Sequence, residues 1–288
     1  MQDALFLDLP HARLEYQFLP AAAPGRPVLV LLHEALGSLA HWKDFPAVLA
    51  AASGCALLVY SRQGHGNSSP APQPRRLDYL SVGCPDELGA VLDACGLERV
   101  VLVGHSDGAS IALAYAGRND PRVCGVVAMA PHVLVEEVTL AGVRHAAEHF
   151  RAGDVLERLR AYHGANLEGV FAGWVDSWLH PDFAGWTLDA ELTRIGVPLL
   201  AFQGCDDQYA SAAQLERIAA RVSAPCRTAL LDACRHIPHR EARAATLELI
   251  DGFLREHGFS PCRGGVQAKN SRYPGGNGRI NQCPGRRI

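Results

Sequence analysis

A chain of 288 residues with 48% hydrophobic and 20% charged side chains reads as a globular protein, long enough to bury a core without staples. Its net charge of −3 offers no basic stripe for a nucleic acid. The sum hides two unlike parts, since residues 259–288 carry six basic groups and no acid and leave residues 1–258 at −9. In chain order, residues 14–18 read as an edge strand, and 28–32, 56–60 and 100–103 as short apolar strands. Further strands are expected at 123–129, 198–202 and 227–231. Near-continuous hydrophobicity in these runs suits strands buried on both faces, as in a largely parallel sheet. Helices are expected between them at 39–52, 79–95, 107–117, 211–221 and 241–256.

One interval breaks the alternation. From Pro131 to about Ile195 no strand is legible, and helical patterns follow one another at 138–151, 154–162 and 167–179. An all-helical insertion of this kind is expected to cover one end of the sheet, where α/β proteins bind ligands. The expected organisation is a main domain of residues 1–131 and 196–258, a helical cap or lid over 132–195, and a disordered basic tail over 259–288. Nine cysteines without a CxxC pair read as free thiols, with neither a zinc site nor a disulfide framework. Asp3 and Asp8 interrupt the N-terminus, and the longest uncharged stretch, Phe45 to Ser61, is broken by Pro46, Ser53 and Gly54. Neither a signal peptide nor a membrane span is expected, which points to a cytoplasmic protein.

Chemistry concentrates at Gly104-His105-Ser106-Asp107-Gly108, a G-x-S-x-G placed directly after an expected strand and before an expected helix. A sharp turn there lifts the serine above the sheet, and the glycines let strand and helix approach closely. A serine hydroxyl needs a base, and the base needs an orienting acid. Asp207 stands at the end of an expected strand, with Asp206 as the adjacent alternative. His236 follows the last strand, with His239 three residues on. The backbone N–H of Asp107 lies at a helix N-terminus, suited to a developing oxyanion, and a second donor is expected from the loop His33-Glu34-Ala35-Leu36-Gly37-Ser38.

Four blocks in this order, HEALGS, SRQGHGNS, GHSDG, and GCDDQY with CRHIPHRE, resemble the cap-bearing branch of the α/β-hydrolase superfamily over about residues 12–257. The resemblance implies a mostly parallel central sheet flanked by helices, with Ser106 as nucleophile, Asp207 as acid and His236 as base. It also implies the Ala35 and Asp107 amides as oxyanion donors, no metal and no cofactor. Two positions depart from the pattern. Glu34 replaces the usual Gly of the first loop, and Arg235 replaces the Gly before the histidine. Glu34 and His33 are candidates to line the pocket, or Glu34 to tie down its loop. The loop containing His65 is expected to be structural, and the Asp107 side chain is expected to point away from the oxyanion.

Phe171, Trp174 and Trp178 share a helix face in the expected cap, where they either pack internally or roof a pocket for a small apolar or aromatic group. The expected activity is hydrolysis of a small carboxylic ester through an acyl-enzyme. A thioester or carbon–carbon bond hydrolase with the same triad is the alternative, and a ligand receptor on the same fold is the reading outside enzymes. The expected partner is a small-molecule substrate, with neither nucleic acid nor membrane, and the sequence leaves monomer and homodimer open.

Overall fold

A computed structural model describes residues 5–22, 24–152 and 155–259. Apart from Phe259, the basic tail expected over 259–288 lies outside the described residues. Eight strands form one sheet in the order β1-β2-β4-β3-β5-β6-β7-β8. The edge pair β1 (Leu5–Leu9) and β2 (Ala12–Leu19) is antiparallel, and β2 runs antiparallel to β4 (Leu57–Tyr60). From there β3 (Val28–Leu32), β5 (Val100–His105), β6 (Val123–Met129), β7 (Leu199–Gly204) and β8 (Cys226–Leu231) pair in parallel.

Alternation along the strands feeds two apolar layers. Leu29, Leu31, Val101 and Val103 pack with α1 (Phe45–Ser53) and α10 (Arg243–Glu256) on one face. Val30, Leu32, Leu58 and Leu102 pack with α2 (Cys84–Ala94), α3 (Asp107–Ala116) and α8 (Ala213–Arg221) on the other. Each such leucine, fully withdrawn from water, contributes about 1.5–3 kcal/mol. Parallel pairing also sends all these strand ends to one edge, which is where the polar loops gather.

Local chemistry corrects several boundaries. Strand β1 was not legible, because it is a solvent-facing edge on which Leu5 is 53% exposed. The helix expected over 39–52 is a 3-10 turn at Leu39–Trp42 followed by α1, separated at Lys43 (φ 55°). Pro46, which lacks an N–H, sits in the first turn of α1 where none is needed. The helix expected over 241–256 is split at Ala242 into α9 (Pro238–Glu241) and α10. A π turn at Tyr79–Gly83 precedes α2.

Between β6 and β7 lie α4 (Glu137–Ala152), α5 (Val155–His163), α6 (Leu167–Trp178) and α7 (Asp189–Arg194). Helices α4, α5 and α6 pack on one another, while α7 packs against α3 and α8 of the sheet layers. Cys55, Cys84, Cys95, Cys124, Cys226 and Cys234 are free thiols. Cys205 corrects that expectation, being disulfide-bonded and part-buried at the open end of β7. Among the described residues no helix is long and apolar enough to cross a membrane.

Candidate active site

Ser106 sits between β5 and α3 with φ 54° and ψ −121°, a left-handed conformation that costs a non-glycine residue strain. Its surroundings explain the two glycines. A Cβ at Gly104 would lie 2.2 Å from the Gly108 carbonyl oxygen, and one at Gly108 would lie 2.0 Å from the Leu32 carbonyl oxygen. Strand, turn and helix can close this tightly only without those atoms, and the closure holds the serine at the sheet's edge.

The Ser106 hydroxyl lies 3.0 Å from His236 Nε2, and His236 Nδ1 lies 2.8 and 2.9 Å from the two Asp207 carboxylate oxygens. A carboxylate only accepts, so Nδ1 carries the ring proton and Nε2 is free to accept from the serine. Burial alone would raise the Asp207 carboxyl, but the charge and hydrogen bond of His236, with the Tyr209 amide at 2.8 Å, hold it below its usual range. Asp206 is exposed and its amide bonds to the Cys234 carbonyl, so it takes no part in this cluster. His239 packs instead on Trp42, 4.8 Å between ring centres, and burial first, then Arg240, lowers it to about 3. His105 Nε2 lies 2.7 Å from the His236 carbonyl and fixes that residue's backbone.

The loop after β3 is oriented from its carbonyls. His33 Nε2 accepts the Arg62 amide at 3.1 Å, so Nδ1 bears the proton and donates to Glu34 O at 2.7 Å. Arg62 Nη2 and the Gly37 amide also donate to Glu34 O, at 3.1 and 3.0 Å. In a planar trans peptide the next N–H points opposite to that oxygen, so the Ala35 amide is turned away from Arg62. Among the described hydrogen bonds, none is donated by the Ala35 or the Asp107 amide. The Asp107 side chain is occupied by Tyr79, whose hydroxyl donates to Oδ2 at 2.8 Å.

Glu34 Oε2 accepts the Leu36 amide at 2.9 Å, a bond that ties the loop to itself. Burial raises its carboxyl against that hydrogen bond and the charge of His236. Glu34 and His33 also line a cavity of about 20 Å³ with His41, Trp42, His105 and His239, room for one water molecule.

Trp174 and Trp178 stand one ring away from His236, each behind an intermediate. Trp178 meets His132 edge-on at 5.0 Å, and His132 lies 5.7 Å from His236. Trp174 meets Tyr209 at 6.4 Å, and Tyr209 lies 4.8 Å from His236. His132 is neutral, lowered to about 3 by burial and then by the His236 charge, and its Nδ1 is buried without a partner. Sequence reasoning missed His132, Tyr209 and Tyr79, because an isolated ring at a strand end or in a loop carries no period or motif. Among the described residues no group of three or more His, Cys, Asp or Glu side chains is arranged to hold a metal ion.

A family model for the alpha/beta hydrolase fold matches residues 27–191. The chain is 29% identical over 164 residues to a 2-succinyl-6-hydroxy-2,4-cyclohexadiene-1-carboxylate synthase of Salmonella paratyphi C, covering 55% of this chain. That match spans about 60% of the relative's own length. Among solved structures, a hydrolase from Pseudomonas aeruginosa superposes with TM-score 0.68 at 26% identity, covering 88% of this chain and 98% of its own. The enol-lactonase from Burkholderia xenovorans gives TM-score 0.70 at 21% identity, over 87% of this chain and all of its own (100%).

Proposed function

Since the chain belongs to the alpha/beta hydrolase family, we propose that it is a serine hydrolase cleaving a small carboxylic ester with an apolar or aromatic group, through an acyl-enzyme. The observation that carries the proposal is the unbroken relay Ser106–His236–Asp207, on a turn whose strained serine is held by glycine-only packing. Ser106 Oγ attacks the ester carbonyl while His236 Nε2 takes its proton. The developing oxyanion receives the Ala35 and Asp107 amides, and His236⁺ then protonates the departing alcohol. Water, deprotonated by the same imidazole, releases the acid and restores Ser106. Asp207 keeps the imidazole in the required tautomer and stabilises its charge.

Helices α4–α6 act as a cap, and Trp178, Trp174, Phe171 and Phe183 supply its aromatic underside. Their buried rings, grouped behind His132 and Tyr209, support an apolar acyl or alcohol group over an extended polar one. The test is rapid mixing with p-nitrophenyl acetate, butyrate and benzoate. A burst of p-nitrophenol with an acyl mass adduct on Ser106 is expected. Absence of both burst and adduct across this series overturns the ester reading.

A further inference from the structure

Three consecutive carbonyls of the loop after β3 have partners, and one partner comes from the helices between β6 and β7. Glu34 O is held by Arg62, and Ala35 O lies 3.1 Å from His65 Nε2; both partners belong to the loop after β4. Leu36 O lies 3.0 Å from Nε2 of His163, the last residue of α5. The other nitrogen of that ring, Nδ1, lies 3.0 Å from the Gly66 amide. An amide can only donate and a carbonyl only accept, so His163 is the neutral Nε2–H tautomer, bridging two loops of the main domain. The ring is 1% exposed. Asn166, just beyond it, donates to Gly66 O and Ser68 O at 3.2 and 2.8 Å, so the junction is anchored on both sides of Gly66.

We propose that His163 is a positioning residue through which the cap sets the oxyanion loop, so that the Ala35 amide is aimed correctly only when the end of α5 is seated. This rests on the reading of the Ala35 amide as an oxyanion donor. The loop cannot be fully fixed from the main domain, because the third of its successive carbonyls finds its partner only on α5. A carbonyl at Leu36 released from His163 can rotate, and the rotation propagates through Gly37 to the Glu34–Gly37 turn. The cap thereby couples its own docking to the transition-state contact while leaving the ground-state pocket intact.

The experiment compares wild type with His163→Gln and His163→Phe in the full chain. A glutamine amide offers an acceptor and a donor at nearly the imidazole's spacing, whereas phenylalanine offers neither. With p-nitrophenyl butyrate, His163→Phe is expected to lower kcat at least about tenfold with KM within twofold, a modest share of the hundredfold or more that loss of a whole oxyanion donor costs. His163→Gln is expected within about threefold of wild type in both constants. Equal losses in the two variants, or an unchanged kcat in His163→Phe, overturn the proposal. If His163→Phe does not fold, His163→Asn, too short to reach both partners, is held to the same expectation. Hydrogen exchange of the Leu36 and Gly37 amides gives a readout independent of any ester. Exchange at least about tenfold faster in His163→Phe than in wild type, with His163→Gln unchanged, supports the coupling even if every ester fails. Identical exchange in all three overturns it whatever the substrate proves to be.

Discussion

Two regions of the molecule, the strand-end loops of the sheet and helices α4–α6, are held by different physics. On the sheet side, Ser106, Asp207 and His236 hang from turns at the ends of β5, β7 and β8. Each is fixed by backbone bonds or charge-assisted hydrogen bonds and is buried. On the other side, α4–α6 approach through rings and a few polar side chains at the end of α5; Trp178 of α6 is buried and Trp186 beyond it half-buried, and neither indole Nε1 has a partner. The difference teaches where each kind of error is tolerated. A change on the sheet side should destroy chemistry and spare the fold, and a change among the packed rings of the helices, away from the polar junction at His163, should do the reverse.

The largest effect expected is on the sheet side. Ser106→Ala should lower kcat by about 10⁴-fold or more, and Asp207→Asn by about 10⁴-fold through loss of the required tautomer. Unfolding midpoints in urea should stay close to wild type for Ser106→Ala. Asp206→Asn serves as the internal contrast, because that side chain is exposed and outside the relay. An equal loss in Asp206→Asn would remove the distinction between the two carboxylates.

That pair also marks how far the sequence could be read. The strands were legible because both faces are buried, and the serine turn because Gly104 and Gly108 must lack a Cβ beside backbone oxygens. Asp206 and Asp207 stand side by side in the sequence, and only the direction in which each side chain leaves β7 separates them. Strand β1 was illegible because its side chains face solvent. The part played by Arg62 was illegible for another reason. Its guanidinium acts on carbonyls 28 and 29 residues earlier, a meeting that no local pattern announces. His163 reaches across 127 residues to Leu36 and is hidden in the same way.

A second, smaller effect probes the helices. Trp178 is 1% exposed against Phe183, Trp186 and His132. Trp178→Ala is expected to cost about 3 kcal/mol, the lower end for truncating a buried aromatic, because the variant also discards an indole N–H that has no partner. Exchange should accelerate in α4–α6 and leave β3, β5 and β6 protected, with kcat/KM falling mainly through KM. Uniform acceleration across the sheet would show that the two regions unfold as one.

The smallest effect is a pH dependence carried by one buried carboxyl of the main domain. Glu87, on α2, accepts the Gln63 amide at 2.8 Å through Oε2, while Oε1 is buried with no partner. Burial raises its carboxyl to about 7, against the Gln63 amide and the Arg62 charge. Its folded pKa thus lies above the unfolded value of about 4.5, so the folded chain binds the proton more tightly across that window. Stability contributed here is lost as pH rises through the window, by at most about 3 kcal/mol at pH 8. His163 and the buried His132 have lowered values and act in the opposite sense, losing stability as pH falls below about 6.5. A wild-type curve alone would blend these slopes, so the informative quantity is the difference between wild type and Glu87→Gln. In urea titrations the variant is expected to be more stable by about 2 kcal/mol at pH 8, with the gap closing toward pH 4.5. Because the histidines are common to both proteins, their contributions cancel in that difference. A gap that stays constant from pH 4.5 to 8 would mean that Glu87 is not the group that titrates, and the buried ionisation would have to be sought elsewhere in the main domain.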